Sequence, residues 1–178
     1  MSVDAFSPES TKTLRDVLLN DVTGELFEEI VQRPIAASKM PILSKADRIA
    51  ITLDGSVLLD RNRRDVAVYQ AEELARAIVE NGGLRPEVLV DVVVTKLDLI
   101  KQESTDLAWV KRAAEDVAKA VEASKRGNVL LTCARSQFPK LVKSGRGVDK
   151  LFSLWVGERP EPRLGAIREP RQSRRVAQ

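Results

Sequence analysis

Apolar residues along the chain fall into short runs separated by stretches of helical periodicity. Residues 14–20, Leu-Arg-Asp-Val-Leu-Leu-Asn, read as a strand closed by the polar turn Asp21-Val-Thr-Gly-Glu25, after which Leu26, Phe27, Ile30 and Val31 recur at helical spacing. A connection over 34–44 carries two prolines and leads to a second strand over 48–54, ended by Gly55. Asp65 then opens a helix to about Glu80, with Val66, Val68, Tyr69, Leu74, Ala75, Ile78 and Val79 as apolar positions and Asn81-Gly82-Gly83 as its stop. Pro86 precedes a valine-rich strand over 88–94. Ser104 to Asp106 cap a helix carrying Leu107, Val110, Ala114, Val117 and Val121, expected to reach about Lys125 and to end at Gly127, before a fourth strand over 128–133. A last short helix over 148–156 carries Leu151, Phe152, Leu154 and Trp155.

Strands alternating with helices imply βαβ units, right-handed crossovers and a parallel sheet of about four strands covered on both faces. The expected organisation is a lead-in over 1–13, one α/β domain over 14–156 and a tail over 157–178. A length of 178 residues supports one sizeable core, and the apolar fraction of 43% fits a globular chain. No window approaches the roughly 18 apolar residues of a membrane span, and the polar start lacks a secretory signal, so a cytoplasmic chain without a membrane partner is expected. The single Cys133 leaves no intramolecular disulfide, and the absence of histidine argues against a zinc site. The net charge of +3 belongs to the tail, where six Arg face three Glu among prolines; it is expected to be disordered, either simply solvated or contacting an acidic surface. No specific nucleic acid is expected as a partner.

In parallel α/β sheets ligands gather at the carboxyl ends of the strands. Three such ends carry polar chemistry: Asp21-Val-Thr-Gly24-Glu25, Thr95-Lys96-Leu97-Asp98 and Thr132-Cys133-Ala134-Arg135-Ser136. Taken alone, Thr-Lys-Leu-Asp also suits a solvated turn, Cys133 a small buried hydrophobe, and Trp109 and Trp155 core or helix-face positions. The three ends together, in this order, resemble the DxxG, [NT]KxD and SAK-like motifs of the TRAFAC-class GTPase fold, closest to bacterial double-GTPase domains. The resemblance covers about residues 14–156.

It implies a three-layer P-loop-GTPase-like sheet that binds GTP or GDP. Asp98 would accept hydrogen bonds from the guanine ring N–H and exocyclic amine, Lys96 would lay its stem over the purine, and Thr95 would tie neighbouring strand ends together. Ala134, in the Cys133-Ala134-Arg135 loop that completes the guanine set, would present its N–H to the guanine carbonyl. Asp21 would hold Mg²⁺ through a water, and Gly24 would offer its N–H to the terminal phosphate. Glu25 stands where many relatives carry a water-orienting Gln. A carboxylate at a strand end is expected to be exposed, so truncating Asp98 should leave folding little changed.

The sequence also departs from that pattern. A phosphate-binding loop needs Gly-x-x-x-x-Gly-Lys-[Ser/Thr], yet none of the nine glycines precedes a lysine. The expectation is therefore a GTPase-like segment without its N-terminal strands and P-loop, unable to hydrolyse GTP unless an upstream segment or a partner chain completes it. Two alternatives stand beside it: a non-enzymatic interaction module built on a degenerate GTPase fold, and another flavodoxin-like regulatory domain with no base to recognise.

Overall fold

The computed structural model describes residues 24–100 and 104–156. The strand read over 14–20 and the proline- and arginine-rich tail lie outside them. Helix α1 (Gly24–Gln32) is followed by a 3-10 turn, Pro34–Lys39, and by α2 (Pro41–Lys45). Each proline opens its element, where the missing N–H costs nothing, so the expected connection is helical. Strand β1 (Arg48–Asp54) leads directly into α3 (Gly55–Leu59), and α4 (Arg64–Asn81) ends against Gly82. Strand β2 (Leu89–Thr95), α5 (Thr105–Ala120), β3 (Arg126–Leu131) and α6 (Val148–Val156) complete the order.

The three strands form one parallel sheet in the order β1-β2-β3. Among the described residues β1 has no second strand neighbour. Val90 through Val94 are all buried, which places β2 at the centre with structure on both faces. Burying a valine fully is worth about 1.5 kcal/mol or more relative to exposure, so this unbroken run accounts for much of the sheet's stability. Ile51, Leu53, Val90, Val92 and Val94 pack with Leu74, Ala75 and Ile78 of α4 and Val110, Ala114 and Val117 of α5 in one core. Small residues on the facing sides of both helices let them approach closely. The other sheet face carries Asp91 and Val93, and α6 lies there, tied by Trp155. Trp109 packs at the margin of the core with the Arg64 guanidinium 4.4 Å above its ring.

Two boundaries differ from the sequence expectation for one reason. Helix α5 stops at Ala120, not near Lys125, and β3 begins at Arg126, with Gly127 inside it rather than capping the helix. Val121 continues the apolar periodicity and is fully buried, but it does so with an extended backbone. Gly127 is required in the strand because a Cβ there would strike the Asp91 carboxylate and the Val90 carbonyl. The ladder is irregular at this point, where Val90 pairs with Arg126 but Val92 with Val129. Asp91 fills the gap: its Oδ1 accepts from the Asn128 N–H at 2.7 Å.

Candidate functional site

The carboxyl ends of the three strands converge on one edge of the sheet. Asp54 closes β1 and caps α3, its Oδ1 accepting from the Ser56 N–H at 2.8 Å and the Ser56 hydroxyl at 2.6 Å. Gly55 follows because its Cα lies against the end of β2; a Cβ would come within 2.5 Å of the Thr95 carbonyl oxygen. Thr95 in turn donates its hydroxyl to the Leu53 carbonyl at 3.3 Å.

Lys96 turns the chain with φ 53° and ψ 40°, the sole non-glycine residue of positive φ among those described. Its ammonium donates to Asp54 Oδ2 at 2.7 Å and lies 3.4 Å from the Ser56 hydroxyl. Burial works against the charged form of Asp54, but Lys96 and Ser56 outweigh it and hold its carboxyl below the usual carboxylate range.

Asp98 sits in the 3-10 turn Leu97–Leu99 that this reversal starts. It is only 6% exposed, which overturns the expectation of an exposed strand-end carboxylate. The physical reason is the segment after β3. There Thr132 donates its N–H to the Val94 carbonyl at 2.7 Å and Leu97 donates to the Thr132 carbonyl at 3.1 Å, stitching the two strand ends together. The chain then folds over Asp98. Gln137 donates its backbone N–H to Asp98 Oδ2 at 2.8 Å, and the Cys133 thiol donates to Oδ1 at 3.2 Å. The Gln137 N–H foremost, with the thiol, holds the Asp98 carboxyl below its usual range despite burial. Burial, and then the adjacent carboxylate, push the Cys133 thiol up, so it remains protonated as a donor.

Thr95, Lys96, Asp98 and Cys133 are thus brought together. Ala134 and Arg135 follow Cys133 directly and are exposed, and among the described residues the Ala134 N–H donates no hydrogen bond. Gly24 and Glu25 form the exposed start of α1, and no hydrogen bond or ion pair among the described residues joins them to this cluster. Asp21 lies outside the described residues. Sequence reasoning missed Asp54 and Gln137. An Asp-Gly-Ser sequence at a strand end is a capping signature that could have marked Asp54, whereas Gln137 acts through its main chain and leaves no side-chain signal. No group of three or more potential ligands among the described residues could hold a metal ion, and no helix there is long and apolar enough to cross a membrane.

A parallel sheet flanked by helices, with polar chemistry collected at its carboxyl edge, is the architecture of a GTPase-like domain. The chain belongs to the Double-GTPase 2 family, whose model matches residues 5–156. No curated protein and no solved structure matches it. Membership of this family suggests guanine nucleotides as the ligand class.

Proposed function

We propose that the edge formed by Thr95, Lys96, Asp98 and the loop after β3 is a guanine-recognition site, with Asp98 as the residue that selects the base. The observation that carries this reading is a carboxylate nine-tenths buried at a strand end, with ionisation supported by a main-chain N–H and a thiol. A guanine edge presents an N–H and an amine side by side, a two-donor match for a carboxylate that adenine does not offer. The carboxylate accepts from Gln137, from Cys133 and from its own main-chain N–H, fewer donors than its roughly four acceptor sites could take. A ring reaches it when the segment over 134–138 shifts to admit the base. Cys133 orients the carboxylate, the Lys96 stem lies beside the purine, the Ala134 N–H meets the guanine carbonyl, and the exposed Arg135 flanks the base.

Phosphate chemistry on this reading falls to Asp21 through a Mg²⁺-bound water, to the Gly24 N–H, and to Glu25 beside the attacking water. These 178 residues hold no Gly-Lys pair for a phosphate loop. The electrostatic stabilisation that such a loop supplies must therefore come from another segment or a partner chain before GTP is hydrolysed. The non-enzymatic module is the second reading, favoured by the β1 edge, which has no second strand neighbour among the described residues.

The test is calorimetric titration of the folded chain with GTP, GDP and ATP, with and without Mg²⁺, repeated on Asp98→Asn. Guanine-selective binding that the substitution abolishes is the expected result. Equal binding of guanine and adenine nucleotides by the unaltered chain would sink the assignment, and no binding by a demonstrably folded chain would leave the interaction module.

A further inference from the structure

Between Glu122 and Asp149 the sequence has no acidic residue, yet it carries Lys125, Arg126, Arg135, Lys140, Lys143 and Arg146. The first two are tied to carbonyl groups, Lys125 to that of Arg85 and Arg126 to that of Ala118. The last four stand on the loop after β3 and are exposed, and among the described residues none has an ion-pair or side-chain hydrogen-bond partner. The loop is closed and ordered by its own bonds. Cys133 and Arg146 form a bridge at its base, and Ser136 accepts at its hydroxyl from the Phe138 N–H while donating its own N–H to the Ser144 hydroxyl at 3.0 Å.

At the tip, Leu141 and Val142 donate their N–H groups to the Phe138 carbonyl, forming one turn. Val142 points inward and is buried, whereas Phe138 is 49% and Leu141 72% exposed. A turn fixed by an apolar anchor that still presents Phe and Leu outward among uncompensated cations is unsuited to water alone. It matches the boundary of an anionic bilayer, where apolar tips enter the acyl margin and Lys and Arg meet headgroup phosphates. Free phosphate or nucleic acid would use the cations but gains little from Leu141.

We propose that the loop over 134–146 docks the protein on an anionic lipid surface, with Phe138 and Leu141 inserted and Arg135, Lys140, Lys143 and Arg146 on the headgroups. Such a contact lies in the membrane plane and needs no crossing helix. It does not depend on the guanine reading, although Gln137 links the loop to Asp98.

The test is co-sedimentation of the full chain with phosphatidylcholine vesicles containing about one third phosphatidylserine, and with phosphatidylcholine alone. Binding to the mixed vesicles only is expected. Phe138→Ser/Leu141→Ser should weaken it at least tenfold without lowering the unfolding midpoint, since both side chains are exposed, and Lys140→Glu/Lys143→Glu should weaken it similarly. No sedimentation with mixed vesicles, or binding that survives the Phe138/Leu141 double change, would overturn the proposal. The Arg-rich tail alone would give the second result.

Discussion

Asp98→Ala is expected to destabilise the domain measurably, contrary to what an exposed strand-end carboxylate would do. The substitution removes the acceptor of two donors, the Gln137 N–H at 2.8 Å and the Cys133 thiol at 3.2 Å. A hydrogen bond to a charged acceptor contributes about 1.5–3 kcal/mol, and the thiol, a weak donor, adds a fraction of that. Relief of the carboxylate's own desolvation offsets part of the loss, as does water entering beside Gln137, so the net cost is about 2 kcal/mol. With a urea dependence of about 2 kcal/mol/M, the unfolding midpoint should fall by about 1 M. The assay is urea titration followed by tryptophan fluorescence at pH 7.

The pH dependence supplies the sharper check. The folded carboxyl of Asp98 lies below its unfolded value of about 3.9, so its contribution is complete above that value and disappears as pH falls through the lower folded value. The difference between the unaltered chain and Asp98→Ala should therefore be constant near neutrality and narrow steadily below about pH 4. A midpoint shift under about 0.3 M at pH 7, or a difference that widens on acidification, would refute the claim that Gln137 and Cys133 stabilise the ionised form.

Two further substitutions probe the frame around the site. Asp91→Ala leaves the Arg48 guanidinium, the Asn128 N–H and the Trp155 indole N–H without their shared acceptor, so a loss of about 3–5 kcal/mol is expected on urea unfolding; a loss below about 1 kcal/mol would mean that water replaces the carboxylate freely. Gly55→Ala places a Cβ 2.5 Å from the Thr95 carbonyl oxygen and should cost about 1–3 kcal/mol by displacing the end of β2. It should also weaken nucleotide binding in calorimetry, and unchanged affinity would separate that strand end from the site.

The sheet was legible because its strands are short, β-branched and punctuated by glycine. A run such as Val90-Asp-Val-Val-Val94 between helical segments has few other readings. The end of α5 was not, because Val121 sits where a helix would also place an apolar residue, and only tertiary packing makes its backbone extended. Thr95, Lys96, Asp98 and Cys133 were legible as one cluster because their positions at strand ends follow from chain order. The burial of Asp98 was hidden, since its donors come from residues 35 and 39 positions further along the chain. Periodicity carries no information about how a loop folds back. Asp91 was hidden for a related reason: as a lone acid among valines it says nothing of the register gap that its carboxylate fills.

These two buried carboxylates, near opposite ends of β2, differ in their remaining capacity to accept hydrogen bonds. Asp91 is fully enclosed, and its oxygens accept from the Arg48 guanidinium, the Asn128 N–H and side-chain amide, and the Trp155 indole. A carboxylate offers about four acceptor sites, so Asp91 has none to spare and binds β1, β3 and α6 to the centre of the sheet. Asp98 accepts from the Gln137 N–H and the Cys133 thiol, both on the segment after β3, with its own main-chain N–H as a further donor. On the guanine reading proposed above, the capacity that remains would be met by a ligand with adjacent donors, which a guanine edge provides. That unspent capacity, rather than burial or charge alone, distinguishes Asp98 from Asp91.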